Sequence, residues 1–174
     1  MRNVKFLMCT IIAVATNFSS NAVEPGYRGF VDYGYMIGTG DFDGSSLNEI
    51  STTHGYQILP QLFVGAGVGV HLYKFNDAGS DLHYNLPIYA DVRWDILDET
   101  KFTPFIDFKG GYSVAGEFTG MYINPSIGCR MALGDKLGLN LGVGYTYMKT
   151  GYEFIYNHED LNMTGINIRL GLDF

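Results

Sequence analysis

The sequence is poor in cysteine, in long apolar runs and in positive charge. Only Cys9 and Cys129 are present, and Cys9 lies in a segment that we expect to be removed. The mature chain can therefore hold neither an internal disulfide nor a cysteine metal site. No apolar run approaches the roughly 20 residues of a membrane-spanning helix. Acidic residues number 18 against 11 basic ones, which excludes nucleic acid as a partner, because phosphate contacts need a basic surface.

The first 22 residues predict a secretory signal peptide. Arg2 and Lys5 precede an uncharged apolar run at residues 6–15, and small residues follow at Ser20 and Ala22. This order of charge, apolar core and small residues is typical of a signal that is cleaved after Ala22. Cleavage lowers the formal net charge from −7 to −9, since it removes two basic residues and no acidic one. We expect an exported domain formed by residues 23–174.

Glycine and aromatic residues are abundant, with 23 Gly, 13 Tyr and 12 Phe. This composition suits a β protein, and period-two alternation recurs after residue 22 without a helical period. Thr52 and His54 disturb the second strand, because both fall on its apolar phase, and we attribute His54 to an error in the predicted register. We predict eight strands, at residues 27–37, 48–58, 62–75, 82–95, 102–114, 121–133, 137–149 and 161–174.

The distribution of charge indicates which face of these strands looks inward. Alternation alone fits a soluble barrel with an apolar interior or a membrane barrel with the opposite arrangement. Charges lie on the polar phase, whose other positions are small, as at Gly65 and Gly67, while Leu, Val, Ile and several Tyr fill the other phase. The expected fold class is therefore all-β, an eight-stranded antiparallel up-and-down transmembrane β-barrel.

The polar phase carries a predicted lumen charge network. Charged residues inside a membrane are expected to pair, and an eight-stranded lumen is just wide enough for its side chains. We expect a filled, salt-bridged lumen, with a conducting pore as the alternative. The members are Arg28, Asp32, Asp91, Arg93, Asp107, Lys109, Arg130, Arg169 and Asp173.

The last strand has the most specific pattern: Ile168, Leu170, Leu172 and Phe174 alternate with polar or small residues and end on an aromatic ring. Together with the eight strands, it resembles the small outer-membrane β-barrels of Gram-negative bacteria, the group of OmpX, the OmpA barrel domain and OmpW. The resemblance implies that these four residues form the signal recognised by the outer-membrane assembly machinery. It also implies contact with outer-membrane lipid and lipopolysaccharide.

The longer connections are acidic and aromatic, and we expect them to face an unknown extracellular ligand. The sequence Asp41-Phe42-Asp43-Gly44 is similar to the start of a calcium loop, but the later ligands are absent. A solvated acidic rim is the simpler interpretation. The candidate contact residues are Asp41, Phe42, Asp43, Phe118, Tyr152, Phe154 and Tyr156.

Three prolines, Pro87, Pro104 and Pro125, fall inside predicted strands four, five and six. Proline cannot donate to a β-ladder, so each is expected at a bulge or a strand end. The alternative is a weakened seam between strands four and six that admits lipid or a hydrophobic solute laterally.

These features favour a structural or surface-interaction role through the extracellular loops. A narrow channel for small or hydrophobic solutes is the first alternative, as the likeness to OmpW suggests, and a lipid A-modifying enzyme is the second. Four histidines and several serines occur, but no local motif links them into a nucleophile and base. We therefore expect no catalytic residues, no metal site and no cofactor.

Overall fold

The computed structural model describes residues 26–74, 82–96, 101–116, 119–134, 137–150 and 161–174. The predicted signal peptide at residues 1–22 lies outside these ranges. So do four of the predicted loop contacts, which are Phe118, Tyr152, Phe154 and Tyr156.

Eight antiparallel strands close into one barrel, in sequence order from β1 to β8. β8 pairs with β1 and so closes the barrel. The paired residues run from Phe30 with Asp173 to Thr39 with Thr164. The predicted fold class is confirmed, and every predicted strand boundary is within two residues of the observed one. The strands are β1 (Gly26–Thr39), β2 (Ser46–Leu59), β3 (Leu62–Lys74), β4 (His83–Asp95), β5 (Phe102–Gly116), β6 (Gly120–Ala132), β7 (Gly138–Thr150) and β8 (Leu161–Asp173).

The barrel has two unlike ends. The turn end holds Gly26, Phe174 and the connections that follow β2, β4 and β6. The loop end holds the other four connections, of which the first contains a single 3₁₀ turn, Gly40–Phe42. Within the part of the chain that the structure describes, no helix is long and apolar enough to span a bilayer.

The outer surface is apolar and the interior carries the charge, as the alternation predicts. Ile127 and Leu141 are 65% and 55% exposed, and similar side chains cover the outward phase of the other strands. An exposed apolar surface of this extent is foreign to monomeric soluble proteins but is the lipid-facing belt of a membrane barrel. Because side chains alternate across a strand, the same register points the polar phase into the lumen.

Pro87 and Pro125 lie where a ladder is interrupted, and Pro104 lies two residues inside the start of β5. The β3–β4 register passes from Val68–Ile88 directly to His71–Asn85, skipping Pro87, which also adjoins a bulge against β5. The β6–β7 register skips Pro125 in the same way. The β5–β6 register is continuous past Pro104 and Pro125. Pro87 thus lies at a bulge, as expected, and among the ladders described between β4, β5 and β6 this bulge is the single irregularity. The alternative of a weakened seam between strands four and six stays a prediction.

Candidate functional site

A charged layer fills the lumen near the turn end. Arg28 donates from Nη1 to Oδ2 of Asp95 at 2.8 Å and from Nε to Oδ2 of Asp173 at 3.3 Å. Arg130 donates from Nε to Oδ2 of Asp173 at 2.9 Å, and Arg93 donates from Nε to Oδ1 of Asp95 at 3.0 Å. Two carboxylates thus hold three guanidinium groups together across the barrel.

A second charged layer lies nearer the middle of the lumen. Lys109 donates from Nζ to Oδ2 of Asp32 at 3.1 Å, and Arg169 bonds both Asp107 and, at 2.7 Å, the hydroxyl of Ser126. A cavity of about 10 Å³, room for about one water molecule, adjoins this layer. The side chains around it include Asp32, Asp91, Arg93, Asp107 and Arg169.

All nine residues of the predicted charge network are buried in these two layers. The Phe30 ring lies against the guanidinium groups of both Arg28 and Arg93. The Arg93 guanidinium carbon lies 3.6 Å from the centroid of the Phe105 ring and 5.0 Å from that of Phe30. The rings therefore occupy space beside the ion pairs. Their distances from the guanidinium groups are in the range at which a cation is attracted to an aromatic face. Among the described residues, these two layers leave a cavity of about 10 Å³.

A third, polar layer lies above the charges, towards the loop end, and sequence reasoning missed it. Glu49 and His71 face each other from β2 and β3, with Oε2 and Nε2 3.5 Å apart, and the His71 ring lies 5.5 Å from that of Tyr122. Glu49 falls within the second predicted strand, at residues 48–58, but it was not counted in the predicted charge network. The alternation of side chains could have shown that Glu49 faces the lumen, because it is two residues from Ser51, which also points inward.

The loop end of the lumen is closed by an apolar cap that includes Phe42. The prediction of Phe42 as an extracellular contact is wrong, since its side chain is only 3% exposed and packs with buried residues of the strands. Its neighbours Asp41 and Asp43 are exposed. The apolar cap consists of Met36, Phe42, Leu47, Tyr73, Met148 and Met163.

The outer surface carries one polar cluster near the turn end. His54 faces outward, so the proposed error in its register is wrong. It bonds the Tyr27 hydroxyl through Nδ1, and its Nε2 lies 2.9 Å from the Thr52 hydroxyl, which in turn donates to the Phe30 carbonyl. Hydrogen bonds along the surface thus satisfy the imidazole at a position that faces lipid.

The four residues of the predicted assembly signal also face outward. Ile168, Leu170 and Leu172 are exposed, while the Phe174 ring packs edge-on against His54. Gly29 makes room for that ring: a Cβ there would lie 2.7 Å from it. Phe174 also exchanges two backbone hydrogen bonds with Gly29, at 2.9 and 3.0 Å, which extend the closing seam of the barrel.

Solved structures with the same architecture are membrane barrels. The barrel matches the crystal structure of Neisserial surface protein A with a TM-score of 0.61 and 15% identity, covering 85% of this chain and 96% of that one. The chain has the fold of the small outer-membrane β-barrels. A second match is the outer-membrane enzyme PagL, with a TM-score of 0.52 and 8% identity over 82% of this chain and 97% of that one.

The N-terminal β-barrel domain of Pseudomonas aeruginosa OprF matches with a TM-score of 0.50 and 8% identity, covering 87% of this chain and all of that one. No protein-family model and no curated protein matches the chain. Similarity at these identities extends to the fold of an outer-membrane barrel and not to an activity. Among the residues that the structure describes, no group of three His, Cys, Asp or Glu side chains could hold a metal ion.

Proposed function

We propose that the protein is an integral outer-membrane barrel that does not conduct, and that it acts through its loop end as an envelope or surface-interaction protein. The observation that carries the proposal is the pair of charged layers, whose ion pairs and aromatic rings fill the lumen. Ions would have to separate those pairs to pass. Removing one partner of a buried pair costs about 3–5 kcal/mol, which makes spontaneous opening rare.

The loop end supports the interaction role. Asp41 and Asp43 are exposed at its first connection, on either side of the buried Phe42 ring. Divalent ions can bridge such carboxylates to the anionic groups of lipopolysaccharide, so lipopolysaccharide and an extracellular ligand are the proposed partners. For biogenesis, we propose that residues 1–22 direct export and are then cleaved, and that the assembly machinery recognises Ile168, Leu170, Leu172 and Phe174.

Conductance in planar bilayers tests the main proposal. We expect the purified barrel to give no single-channel current steps. We expect none from an Arg130→Gln variant either, because the second charged layer still blocks the lumen. Steps from the wild-type protein that change in size with Arg130→Gln would instead support the porin-like channel.

The loop contacts are tested by binding to lipopolysaccharide vesicles in Mg²⁺. We expect an Asp41→Asn, Asp43→Asn double variant to bind more weakly, while Lys101→Gln, an exposed change at the turn end, binds like the wild type. Equal binding by both variants would contradict the role of the first loop.

One observation favours an enzyme as the second candidate. The Thr52 hydroxyl lies within hydrogen-bonding distance of His54, which is the contact that a nucleophile and its base require. Against catalysis, the group that bonds the other nitrogen of His54 is the Tyr27 hydroxyl rather than a carboxylate. We therefore propose that the protein is not an enzyme. Mass spectrometry of lipid A decides the matter: a mass change that depends on both Thr52 and His54 would favour catalysis.

A further inference from the structure

The second charged layer holds more acids than cations. Its buried charged side chains are those of Asp32, Asp91, Asp107, Lys109 and Arg169. Within the part of the chain that the structure describes, the ion pairs of this layer join Lys109 to Asp32 and Arg169 to Asp107. Both cations are thus bonded to other acids, and Asp91 lies outside these ion pairs.

The cations nearest to Asp91 along the ladder point elsewhere. Lys109 is opposite Asp91 in the β4–β5 ladder, but its ammonium group reaches across the lumen to β1. Arg93, two residues along β4, donates to Asp95 at 3.0 Å and to Asn140 at 2.7 Å. Asp91 is only 3% exposed. Among the described residues it therefore has neither solvent nor a bonded cation to stabilise a negative charge, and an uncompensated buried charge is costly.

Asp91 lies beside a second acid, Asp107. In the β4–β5 ladder Asp107 is paired with Arg93, two residues from Asp91, which makes the two acids diagonal neighbours on the lumen face. Their carboxyl groups are within hydrogen-bonding reach of each other, and both line the cavity of about 10 Å³. If both groups are ionised, the Oδ1 atom of each is buried without a hydrogen-bond partner among the described residues.

A single proton gives both of these oxygen atoms a partner. Two carboxylates cannot hydrogen-bond to each other, because both are acceptors. Carboxyl groups in contact therefore hold a proton between them, since two like charges so close cannot both be ionised. Asp107 is the member that stays ionised, because Arg169 and Asp107 form an ion pair. Asp91 is then the acid that keeps the proton and donates a hydrogen bond to Asp107.

We propose that Asp91 is an un-ionised acid in the folded barrel at neutral pH, and that folding takes up its proton. The proton comes from water, since an aspartate of the unfolded chain is ionised above about pH 4. Acid therefore favours the folded barrel, and stability falls as the pH rises until the proton leaves the folded state. The charged and titratable groups around the pair are Asp32 of β1, Arg93 and Tyr89 of β4, Lys109 of β5 and Arg169 of β8.

Infrared spectroscopy of the barrel in lipid vesicles at neutral pH tests for the proton directly. An un-ionised carboxylic acid has a carbonyl stretching band that is separate from the carboxylate bands. We expect this band from the wild type and from Asp43→Asn, an exposed change at the first loop, but not from Asp91→Asn. A band that persists in Asp91→Asn would overturn the proposal. So would a wild type without the band, which would mean that water separates two carboxylates.

The pH dependence of unfolding tests the coupling. Denaturant titration in vesicles gives the folding equilibrium constant of the wild type and of Asp91→Asn between about pH 5 and 8. The wild-type constant should fall about tenfold per pH unit relative to that of Asp91→Asn, because the asparagine amide donates to Asp107 without taking up a proton. At neutral pH, Asp91→Asn should therefore be at least as stable as the wild type.

Asp107→Asn is the matched control on the other member of the pair. It removes the carboxylate that Arg169 bonds, and it should lower stability across the whole pH range. If Asp107→Asn does not fold, the pH comparison between the wild type and Asp91→Asn still decides. Parallel pH dependence of those two proteins would overturn the proposal, and so would an Asp91→Asn variant that is much less stable than the wild type at neutral pH.

Discussion

Asp173 joins four strands through one carboxylate. From β8 it accepts hydrogen bonds from Arg28 of β1, Arg130 of β6 and Asn140 of β7, the last at 2.8 Å. Its side chain is fully buried, so no solvent can replace these partners. The closing strand is thus held from inside the lumen as well as by its backbone ladders.

Changing Asp173 to Asn should destabilise the barrel by about 3–5 kcal/mol, because it removes the buried counter-charge that Arg130 bonds and one of the two that Arg28 bonds. Denaturant unfolding in lipid vesicles measures the difference. Asp43→Asn removes an exposed carboxylate and should leave the unfolding midpoint where it is. Equal midpoints for the two variants would show that Asp173 contributes little.

Two glycines of the lumen phase offer a matched pair. A Cβ at Gly67 would lie 2.6 Å from the Thr52 carbonyl oxygen and 2.6 Å from the Tyr89 ring, whereas at Gly142 the nearest atom is 3.4 Å away. Gly67→Ala should therefore cost about 1–3 kcal/mol through overpacking, and Gly142→Ala clearly less. The same unfolding assay compares them, and a reversed order would contradict the described packing around Tyr89.

At the level of strands, the barrel follows from alternation and turn residues. Period two fixes which face each side chain takes, and Gly, Pro and Asp clusters end the strands, so strand positions are predictable. Glu49 was left out of the predicted charge network, although it shares the inward face of β2 with Ser51, two residues away. The inward direction of Phe42 depends on a 3₁₀ turn between Gly40 and Gly44, and alternation does not encode such a turn.

The site is less predictable than the fold for the same reason. Phase predicts that Arg28 and Asp173 face the lumen, but it does not predict which of several carboxylates each arginine meets. Asp95, a strand-end residue outside the predicted network, bonds both Arg28 and Arg93. Side-chain reach across the barrel decides such contacts, and it is a property of the closed structure.

The interrupted ladders predict uneven backbone protection. Amides of β3 and β7 that face Pro87 and Pro125, around residues 69–70 and 145–146, lack a regular partner pair on that side. Those of them that point towards β4 or β6 should exchange hydrogen faster than the amides that point into the β7–β8 ladder, which is continuous from the pair Gly138 and Asp173 to the pair Thr150 and Leu161. Hydrogen exchange by NMR resolves these positions, and uniform protection would contradict the interruption.

For the whole molecule, most of the ion pairs described lie where salt does not reach. At 1 M ionic strength the Debye length is about 3 Å in water, but buried pairs are screened far less than exposed ones. The free energy of unfolding in vesicles should therefore change by less than about 1 kcal/mol between 0.1 M and 1 M NaCl. A large fall at high salt would mean that water and ions enter the charged layers.

The burial of Phe42 has a consequence for immune recognition. A short synthetic peptide covering residues 40–45 displays its phenyl ring freely, whereas the folded loop hides the ring and shows Asp41, Asp43 and Gly44. Antibodies selected on the peptide would bind mainly the ring and would fail to bind the folded barrel. An antibody against this loop would have to be selected on the folded barrel, because the loop shows its acidic face only there.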